Sequence, residues 1–369
     1  MFTRTIRSLV WCASGFACLA FIVLAATRFP AERLVTPDDG VILDHAVRFA
    51  SGATAYAAPE TPQAISPMPG FPWVVSFLVA ALGPQLWVPR VASLVFSLIA
   101  AVLAMFIVRA ETKSWTVGAA SGGILLLGLT VLTGHPEAAR PEPLALALGL
   151  AGLLVLRHVP GYLGTMGSAL ILSAAFFVHP LALWVIGAAI AYLVAEQPKH
   201  CLVFVLAVAI GCGGGYVTLS NSLGEWFNFS AFDGPLSALR FRPSRVLHYI
   251  GDVLLGRLGV LTLSTVMAFA LPTRPWRGPT GLWTWVAFAA MASGLVATQS
   301  LRVSPADMIP VMTALALIGP ISVQRVTQHL SAWPGSSRLG GRGVVLTALV
   351  LQFVMLFAGV SAALLSPLV

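Results

Sequence analysis

Long apolar runs recur from one end of the chain to the other and limit the possible folds more than any other feature. They lie at residues 8–27, 86–108, 116–133, 143–157, 162–177, 180–195, 201–219, 249–271, 281–298, 305–321 and 343–364. A membrane-spanning helix needs roughly 20 mainly apolar residues, and helices satisfy their own backbone polar groups within lipid. Because 58% of the residues are apolar and only 9% are charged, we expect an all-α polytopic membrane protein with about 11 transmembrane helices (roughly 10 to 13).

Three stretches need a separate interpretation. Segment 71–83 is apolar but short and lies between proline and glycine, so it is predicted to be a re-entrant or surface-lying helix. Segment 162–195 would be about 51 Å long as one helix, and His179-Pro180 near its middle predicts two helices. The first run resembles a signal peptide, but the many later spans favour an uncleaved first helix.

We expect a single membrane domain, residues 1–369, and place its N-terminus inside, an orientation in which the basic residues show a weak asymmetry. With the N-terminus inside, the large outer loops are 28–85 and 220–248, and most acidic residues lie on the outer face. The net charge of +8 is consistent with basic loops at one membrane face, and we predict no nucleic-acid partner. Carboxylates and arginines occur together outside, which suggests a site there.

The first outer loop contains the acidic sequence TPDDGVILDH, residues 36–45. Asp38 and Asp39 follow Pro37, so they are predicted to open a helix whose positive N-terminal dipole favours anions. Apolar residues then recur at helical spacing, and Gly52 is predicted to end the helix. The alternative is a capped surface helix whose acidic side chains are simply solvated.

A second outer turn has the sequence GHPEAARPEP, residues 134–143. It brings Arg140 and Glu142 to the start of an apolar span, where Pro141 and Pro143 stiffen the chain. The alternative interpretation is that these side chains are interfacial charges that reach for water at helix ends.

The order of these motifs resembles the integral-membrane glycosyltransferases of the GT-C fold. The similarity is to the branch with protein O-mannosyltransferases and aminoarabinose lipid A transferases. It covers residues 1–195, a GT-C-like catalytic core, with 196–369 as additional spans. The family's Asp-Glu pair corresponds to Asp38-Asp39, and its Arg-x-Asp corresponds to Arg140-Pro141-Glu142. Both departures keep the charge and change the reach by one methylene.

The resemblance implies transfer of a sugar from a polyprenyl-phosphate donor to an acceptor hydroxyl of a lipid, glycan or protein, with inversion. It places the enzyme among membrane lipids, in a bacterial inner (plasma) membrane, with its active site facing the periplasm or exterior. Asp38 is the candidate general base, because a like-charged neighbour and partial burial tune a carboxylate for that task. Asp39 is expected to hold substrate hydroxyls. Glu142 is expected to orient the acceptor or a metal, with Arg140 as its partner.

Arginine suits a departing phosphate because its fork binds two oxygens. The outer candidates are Arg240, Arg242, Arg245, Arg257 and Arg302. Arg257 lies within an apolar run, where pairing with Asp252 is the structural alternative. His179 precedes a proline at the outer membrane level and is either a phosphate ligand or a packing residue. No tight ligand spacing demands a metal, so no cofactor is assigned, although a divalent cation is possible.

Two other classes of function compete with the enzyme. A polytopic transporter or flippase would place ionisable residues near the bilayer midplane on broken helices, whereas this sequence places its acids at helix ends. A non-catalytic membrane scaffold of the same fold is the third possibility. The variant Asp38→Asn separates them, since an enzyme should keep its fold and lose turnover.

Overall fold

The computed structural model describes residues 2–28, 36–53, 55–56, 68–133, 135, 138–223, 225–229, 243–270, 281–299, 308–331 and 340–365. Within those ranges the chain is helical and contains no strand. The first eight helices are α1 (Phe2–Arg28), α2 (Pro37–Ser51), α3 (Gly70–Leu82), α4 (Trp87–Thr112), α5 (Trp115–Thr133), α6 (Glu142–His158), α7 (Gly161–Val178) and α8 (Leu183–Glu196). The later segments are Pro198–Val208, Ala209–Gly214, Gly215–Leu223, Glu225–Asn228, Pro243–His248, Tyr249–Arg257, Gly259–Ala270, Gly281–Ala297, Ile309–Ser331 and Gly340–Leu365.

The helices define a multi-pass membrane protein. Each of the eleven predicted apolar runs overlaps a helix of the described chain. Six helices are long and apolar enough to cross a membrane: Arg4–Thr27, Trp87–Thr112, Trp115–Leu132, Gly161–Val178, Pro198–Leu223 and Ile309–His329. A bent pair would make a seventh. The count of about 11 transmembrane helices and the division at residue 195 therefore stay predictions.

The predicted run 249–271 differs most from the structure. Segments Ser244–Arg257 and Gly259–Ala270 meet at an angle of 98°, where a single straight span was expected. Arg257 pairs with Asp252, and both side chains are about two-fifths exposed. Charged side chains are costly in hydrocarbon, so the pairing of Arg257 with Asp252 lowers the cost of placing both in this apolar run.

Two other predictions about local structure are confirmed. Helix α7 ends at Val178, and a short 3₁₀ turn, Pro180–Ala182, separates it from α8. Helix α2 ends before Gly52, whose φ of 72° is the left-handed conformation that glycine adopts at helix ends.

The α2 end of the bundle comprises α2, α3, the first turns of α4 and α6, and the last turn of α7. The far end comprises the last turns of α4 and α6 and the first turns of α5 and α7. Antiparallel packing of α4 on α5 and of α6 on α7 produces this arrangement. Helix α2 buries Ile42 and Ala46 against Phe71 and Val75 of α3 in one apolar cluster.

Gly70 brings α3 close to the end of α7. A Cβ atom at Gly70 would lie 2.8 Å from the carbonyl oxygen of Phe177 and 2.9 Å from a methyl group of Val178. These distances are shorter than van der Waals contact, so a side chain would push the two helices apart. The glycine of the sequence Pro69-Gly70-Phe71-Pro72 therefore allows α3 to pack closely against the segment just before His179.

Candidate active site

A buried ion pair that the sequence did not reveal supports the site. The side chains of Asp39 and Arg90 are both 0% exposed. The Arg90 guanidinium donates to Asp39 Oδ2 from Nη2 at 2.9 Å and from Nε at 3.3 Å. Asp39 Oδ1 accepts from the backbone N–H of Ala139 at 2.8 Å and from the Thr36 hydroxyl at 3.3 Å. Asp39 thus joins α2 to α4 and to the turn before α6, and its burial does not support direct contact with substrate hydroxyls.

A serine on α4 holds the same turn from the other side. The Ser93 hydroxyl donates to the carbonyl oxygen of Arg140 at 2.9 Å and accepts the backbone N–H of Arg140 at 2.8 Å. Both backbone groups of Arg140 are therefore satisfied without a helix. This contact fixes the chain just before Glu142, which opens α6, where the helix dipole favours a carboxylate.

Arg140 and Glu142 lie close together but are only partly paired. Their nearest atoms, Arg140 Nη1 and Glu142 Oε1, are 4.0 Å apart, and the two side chains are 14% and 13% exposed. Arg140 Nε and Glu142 Oε2 are buried and have no hydrogen-bond partner within the described chain. Buried polar atoms are nearly always satisfied, so this donor and this acceptor are suited to a bound polar ligand.

Asp38 lies beside this partly paired couple, on the exposed side of α2. The protein around the side chain displaces enough water to raise the pKa of Asp38 above its ordinary value. The Glu142 carboxylate raises this pKa further, the Arg140 guanidinium lowers it, and Asp39 raises it. Asp38 thus combines access to solvent with an increased affinity for a proton, as a general base requires.

His179 borders the same group from the end of α7. Its Nδ1 accepts the backbone N–H of Leu181 at 3.1 Å, so the proton of the neutral ring is on Nε2. Burial lowers the pKa of His179, and the Glu142 carboxylate opposes that shift. The ring is therefore neutral near pH 7 and can donate one hydrogen bond.

A small, mainly apolar cavity extends from Glu142 into the bundle. It lies between α6, the 3₁₀ turn, α8 and the start of helix Ile309–Ser331. Leu181, Trp184, Ile309 and Pro310 are among its lining residues. The site therefore combines charged groups at the α2 end with an apolar recess beneath them.

The structure does not bring all the predicted arginines to this site. Arg245 donates to the carbonyl oxygen of Thr298 at 3.5 Å. Arg257 pairs with Asp252 at 3.3 Å and donates to the carbonyl oxygen of Val131, also at 3.3 Å. These contacts do not join either arginine to Asp38 or Glu142. The remaining candidates, Arg240, Arg242 and Arg302, lie outside the described residues.

Metal ligands are not grouped here. Within the ranges that the structure describes, no three His, Cys, Asp or Glu side chains are arranged to hold a metal ion. Near Glu142, the described carboxylates are Asp38, which has Arg140 beside it, and Asp39, which is engaged by Arg90. The divalent cation considered from the sequence therefore has no three-ligand set in this part of the chain.

Arg90 and Ser93 are the important residues that sequence reasoning missed. Arg90 lies in the first turn of an otherwise apolar span, WVPRVASLVF. A charged residue at that position requires a buried partner or access to water. That signal identifies Arg90 as paired, but it does not say with which carboxylate.

The helical bundle and the acidic end together define a multi-pass membrane protein with the GT-C fold. Two solved structures of ArnT from Cupriavidus metallidurans have similar folds. The structure of ArnT bound to undecaprenyl phosphate gives a TM-score of 0.65 at 14% identity, over 95% of this chain and 76% of that one. The apo structure gives 0.64 at 13% identity, over 96% and 77%. At such identity the similarity establishes the fold alone.

Sequence comparisons did not add to this result. No protein-family model matches the chain, and no curated protein matches it.

Proposed function

We propose that this protein is a glycosyltransferase that moves a sugar from a polyprenyl-phosphate donor to an acceptor hydroxyl. The observation that carries the proposal is the group formed by Asp38, Arg140 and Glu142. It combines an accessible carboxylate of raised pKa with a buried donor and acceptor that lack partners within the described chain. The GT-C fold, shared with an ArnT structure that contains undecaprenyl phosphate, supports a lipid-linked donor.

In the proposed reaction, Asp38 accepts the proton of the acceptor hydroxyl. The acceptor oxygen attacks the anomeric carbon while the bond from that carbon to the phosphate oxygen breaks. The electron pair of the broken bond leaves with the polyprenyl phosphate, and the single displacement inverts the configuration at the anomeric carbon. A raised pKa suits this role because a base is most effective when its pKa approaches the working pH.

Arg140 and Glu142 have complementary tasks in this proposal. The Arg140 guanidinium is positioned to stabilise the phosphate as negative charge develops on it. Glu142 accepts a hydrogen bond from a sugar or acceptor hydroxyl through the oxygen that lacks a protein partner. His179 contributes one further N–H donor for phosphate. The apolar recess next to Glu142 is a suitable place for the start of the polyprenyl chain.

The proposed site faces the exterior of a bacterial inner membrane. The slight excess of basic residues on the opposite face of the predicted spans is consistent with this orientation. An exterior site is reached by a donor whose sugar has already been moved across the membrane on its lipid. The acceptor is then a lipid, glycan or protein outside the cell.

The test is sugar transfer by the purified protein in lipid. A panel of radiolabelled polyprenyl-phosphate sugars is offered, with several acceptors and with water alone to detect slow donor hydrolysis. We expect donor consumption by the unaltered protein and none by Asp38→Asn. The matched control is Asp44→Asn on the same helix, because Asp44 is exposed and pairs with Arg48. Donor turnover that is equal in the Asp38→Asn and Asp44→Asn variants would disprove the assignment of the base.

A further inference from the structure

A second cavity lies at the far end of the bundle, away from the candidate active site. It is enclosed by helices Gly259–Ala270, Gly281–Ala297 and Ile309–Ser331. Its walls include Phe269, Trp283, Ile318, Ile321, Ser322 and Arg325. We call it the far-end cleft. Its lining combines apolar side chains with the polar groups of Trp283, Thr284, Ser322 and Arg325.

Trp283 supplies a donor that has no acceptor in the protein. Its side chain is 1% exposed, and its indole N–H has no hydrogen-bond partner within the described chain. An indole nitrogen can only donate, and a buried donor normally has a partner. The far-end cleft therefore contains a hydrogen-bond donor, the Trp283 N–H, for which the described chain provides no acceptor.

Arg325 supplies positive charge at the same place. Its guanidinium is partly exposed, and the Glu111 carboxylate is near enough to interact with it. Glu111 also pairs with Arg157 at 3.0 Å. Glu196 lies near the same charged group, and Arg325 is the charged residue that lines the cleft. A guanidinium beside an unsatisfied N–H donor favours an oxyanion.

The cleft continues into an apolar surface. Phe269 lines the cleft, and its ring centroid lies 5.3 Å from that of Phe288. Phe288 is 52% exposed. Met267, which lies two residues before Phe269, is 51% exposed. In a multi-pass protein such outward apolar side chains are suited to contact with lipid chains. The ligand that fits is thus an oxyanion attached to a hydrocarbon chain.

We propose that the far-end cleft binds the phosphate group of an anionic phospholipid, whose acyl chain lies over Phe269 and Phe288. Arg325 binds the phosphate oxygens as a fork, and the Trp283 N–H donates to one of them. Basic recesses between transmembrane helices are recognised sites for anionic lipid head groups. This site does not depend on the proposed glycosyltransferase activity.

The experiment is a lipid titration of the purified full-length protein in detergent, read by native mass spectrometry. Phosphatidylglycerol and phosphatidylcholine with the same acyl chains are compared, and inorganic phosphate is added as a competitor. We expect one phosphatidylglycerol to be retained in preference to phosphatidylcholine. Trp283→Phe removes the N–H and keeps an aromatic ring, so we expect phosphatidylglycerol binding to weaken by about tenfold.

Matched variants distinguish phosphatidylglycerol binding at the cleft from effects of losing any tryptophan N–H or any charge. Trp285, two residues along the same helix, also has an unpartnered indole N–H within the described chain. It is not among the cleft residues, so Trp285→Phe should leave binding unchanged. Arg325→Lys keeps the charge and loses the fork, and should weaken binding. Arg109→Gln removes a far-end charge that lies 4.0 Å over the Trp115 ring, and should not.

Three results would overturn the proposal. The first is equal retention of phosphatidylglycerol and phosphatidylcholine, and the second is equal behaviour of Trp283→Phe and Trp285→Phe. The third is displacement of phosphatidylglycerol by an equal concentration of inorganic phosphate, which would make the cleft a site for a free anion. A thermal unfolding measurement accompanies each variant. If Arg325→Lys fails to fold, the two tryptophan variants decide the outcome.

Discussion

Helices α4 and α6 carry charged side chains at both ends of the bundle, and the two ends use them differently. At the far end, Arg157 Nε lies 3.0 Å from Glu111 Oε1, and the pair links the last turn of α6 to that of α4. At the α2 end, Arg140 and Glu142 come no closer than 4.0 Å, and each keeps a buried polar atom without a partner in the described chain. The far-end pair therefore makes a direct contact within the protein, whereas the Arg140–Glu142 pair retains atoms that can bind a ligand.

At the α2 end, the residues that hold the structure differ from the residues proposed to bind substrate and react. The fully buried Asp39–Arg90 pair and the Ser93 hydroxyl hold the turn before α6. Arg140 and Glu142 lie next to this support and keep buried atoms without a partner in the described chain, and Asp38 beside them is exposed. Reactive groups work best when their supporting contacts are already rigid. Two adjacent carboxylates of one helix therefore differ in role: Asp39 holds the structure, and Asp38 is the proposed base.

The largest expected effect is the loss of turnover in Asp38→Asn. Removing a general base typically lowers the rate by about 100- to 10,000-fold, and an exposed side chain contributes little to stability. Glu111→Gln at the far end should do the reverse, lowering thermal stability and leaving turnover intact. Donor consumption and thermal unfolding are measured for both variants. If Glu111→Gln loses as much turnover as Asp38→Asn, the two ends do not differ in the way described.

The next effect is on stability. Arg90→Met leaves the buried Asp39 carboxylate without its ion-pair partner, which should cost about 3–5 kcal/mol of unfolding free energy. Arg157→Met should cost only about 1 kcal/mol, because the Arg157 side chain is 23% exposed and the Glu111 carboxylate keeps the nearby Arg325 guanidinium. The measurement is unfolding in a denaturing detergent series.

A double variant tests the explanation of that difference. Arg90→Met combined with Asp39→Asn removes the unpaired buried charge and should recover part of the lost stability. Equal losses for Arg90→Met and Arg157→Met would contradict the distinction between a fully buried pair with one guanidinium and a partly exposed pair with a second guanidinium nearby.

Substitution of Glu142 and substitution of Arg140 should shift the acid limb of the pH dependence of kcat/KM in opposite directions. Glu142 raises the pKa of Asp38, so Glu142→Gln should shift the acid limb of kcat/KM to lower pH. Arg140 lowers that pKa, so Arg140→Gln should shift the limb to higher pH. Arg157→Gln, at the far end, is the control that should leave the limb in place. Shifts in the same direction for both α2-end variants would exclude Asp38 as the titrating base.

The sequence predicted the outline of the site because its signals are local. Pro37 and Gly52 fix the start and end of α2, and Pro141 fixes the start of α6, so the positions of Asp38 and Glu142 could be read from the chain. The break at His179-Pro180 was found in the same way. Apolar periodicity likewise predicted a helix for each run, although it did not distinguish a full crossing from a shorter helix.

The pairing of charges could not be read from the sequence, because it depends on contacts between distant segments. Asp39 and Arg90 are 51 residues apart, and Asp39 and Ala139 are 100 apart. Neighbouring aspartates carry equal charges, so only the packing of α2 on α4 shows that Asp39 is buried and Asp38 exposed. The bend between Arg257 and Gly259 lies within one continuous apolar run, so hydropathy alone could not locate it.

The smallest expected effect comes from Ser93→Ala, which releases the backbone of Arg140. Losing this hydrogen-bonding hydroxyl should lower stability by about 1 kcal/mol. Ser97→Ala is the matched control one turn further along α4, because the Ser97 hydroxyl donates only to the carbonyl oxygen of Ser93 in its own helix at 2.8 Å. A purely structural serine would affect unfolding alone. If Ser93 positions Arg140, its loss weakens the effect of the guanidinium on Asp38, and the acid limb moves to higher pH by less than in Arg140→Gln. A limb that stays in place in Ser93→Ala would show that Arg140 is held by other contacts, and that the support at the α2 end rests on the Asp39–Arg90 pair.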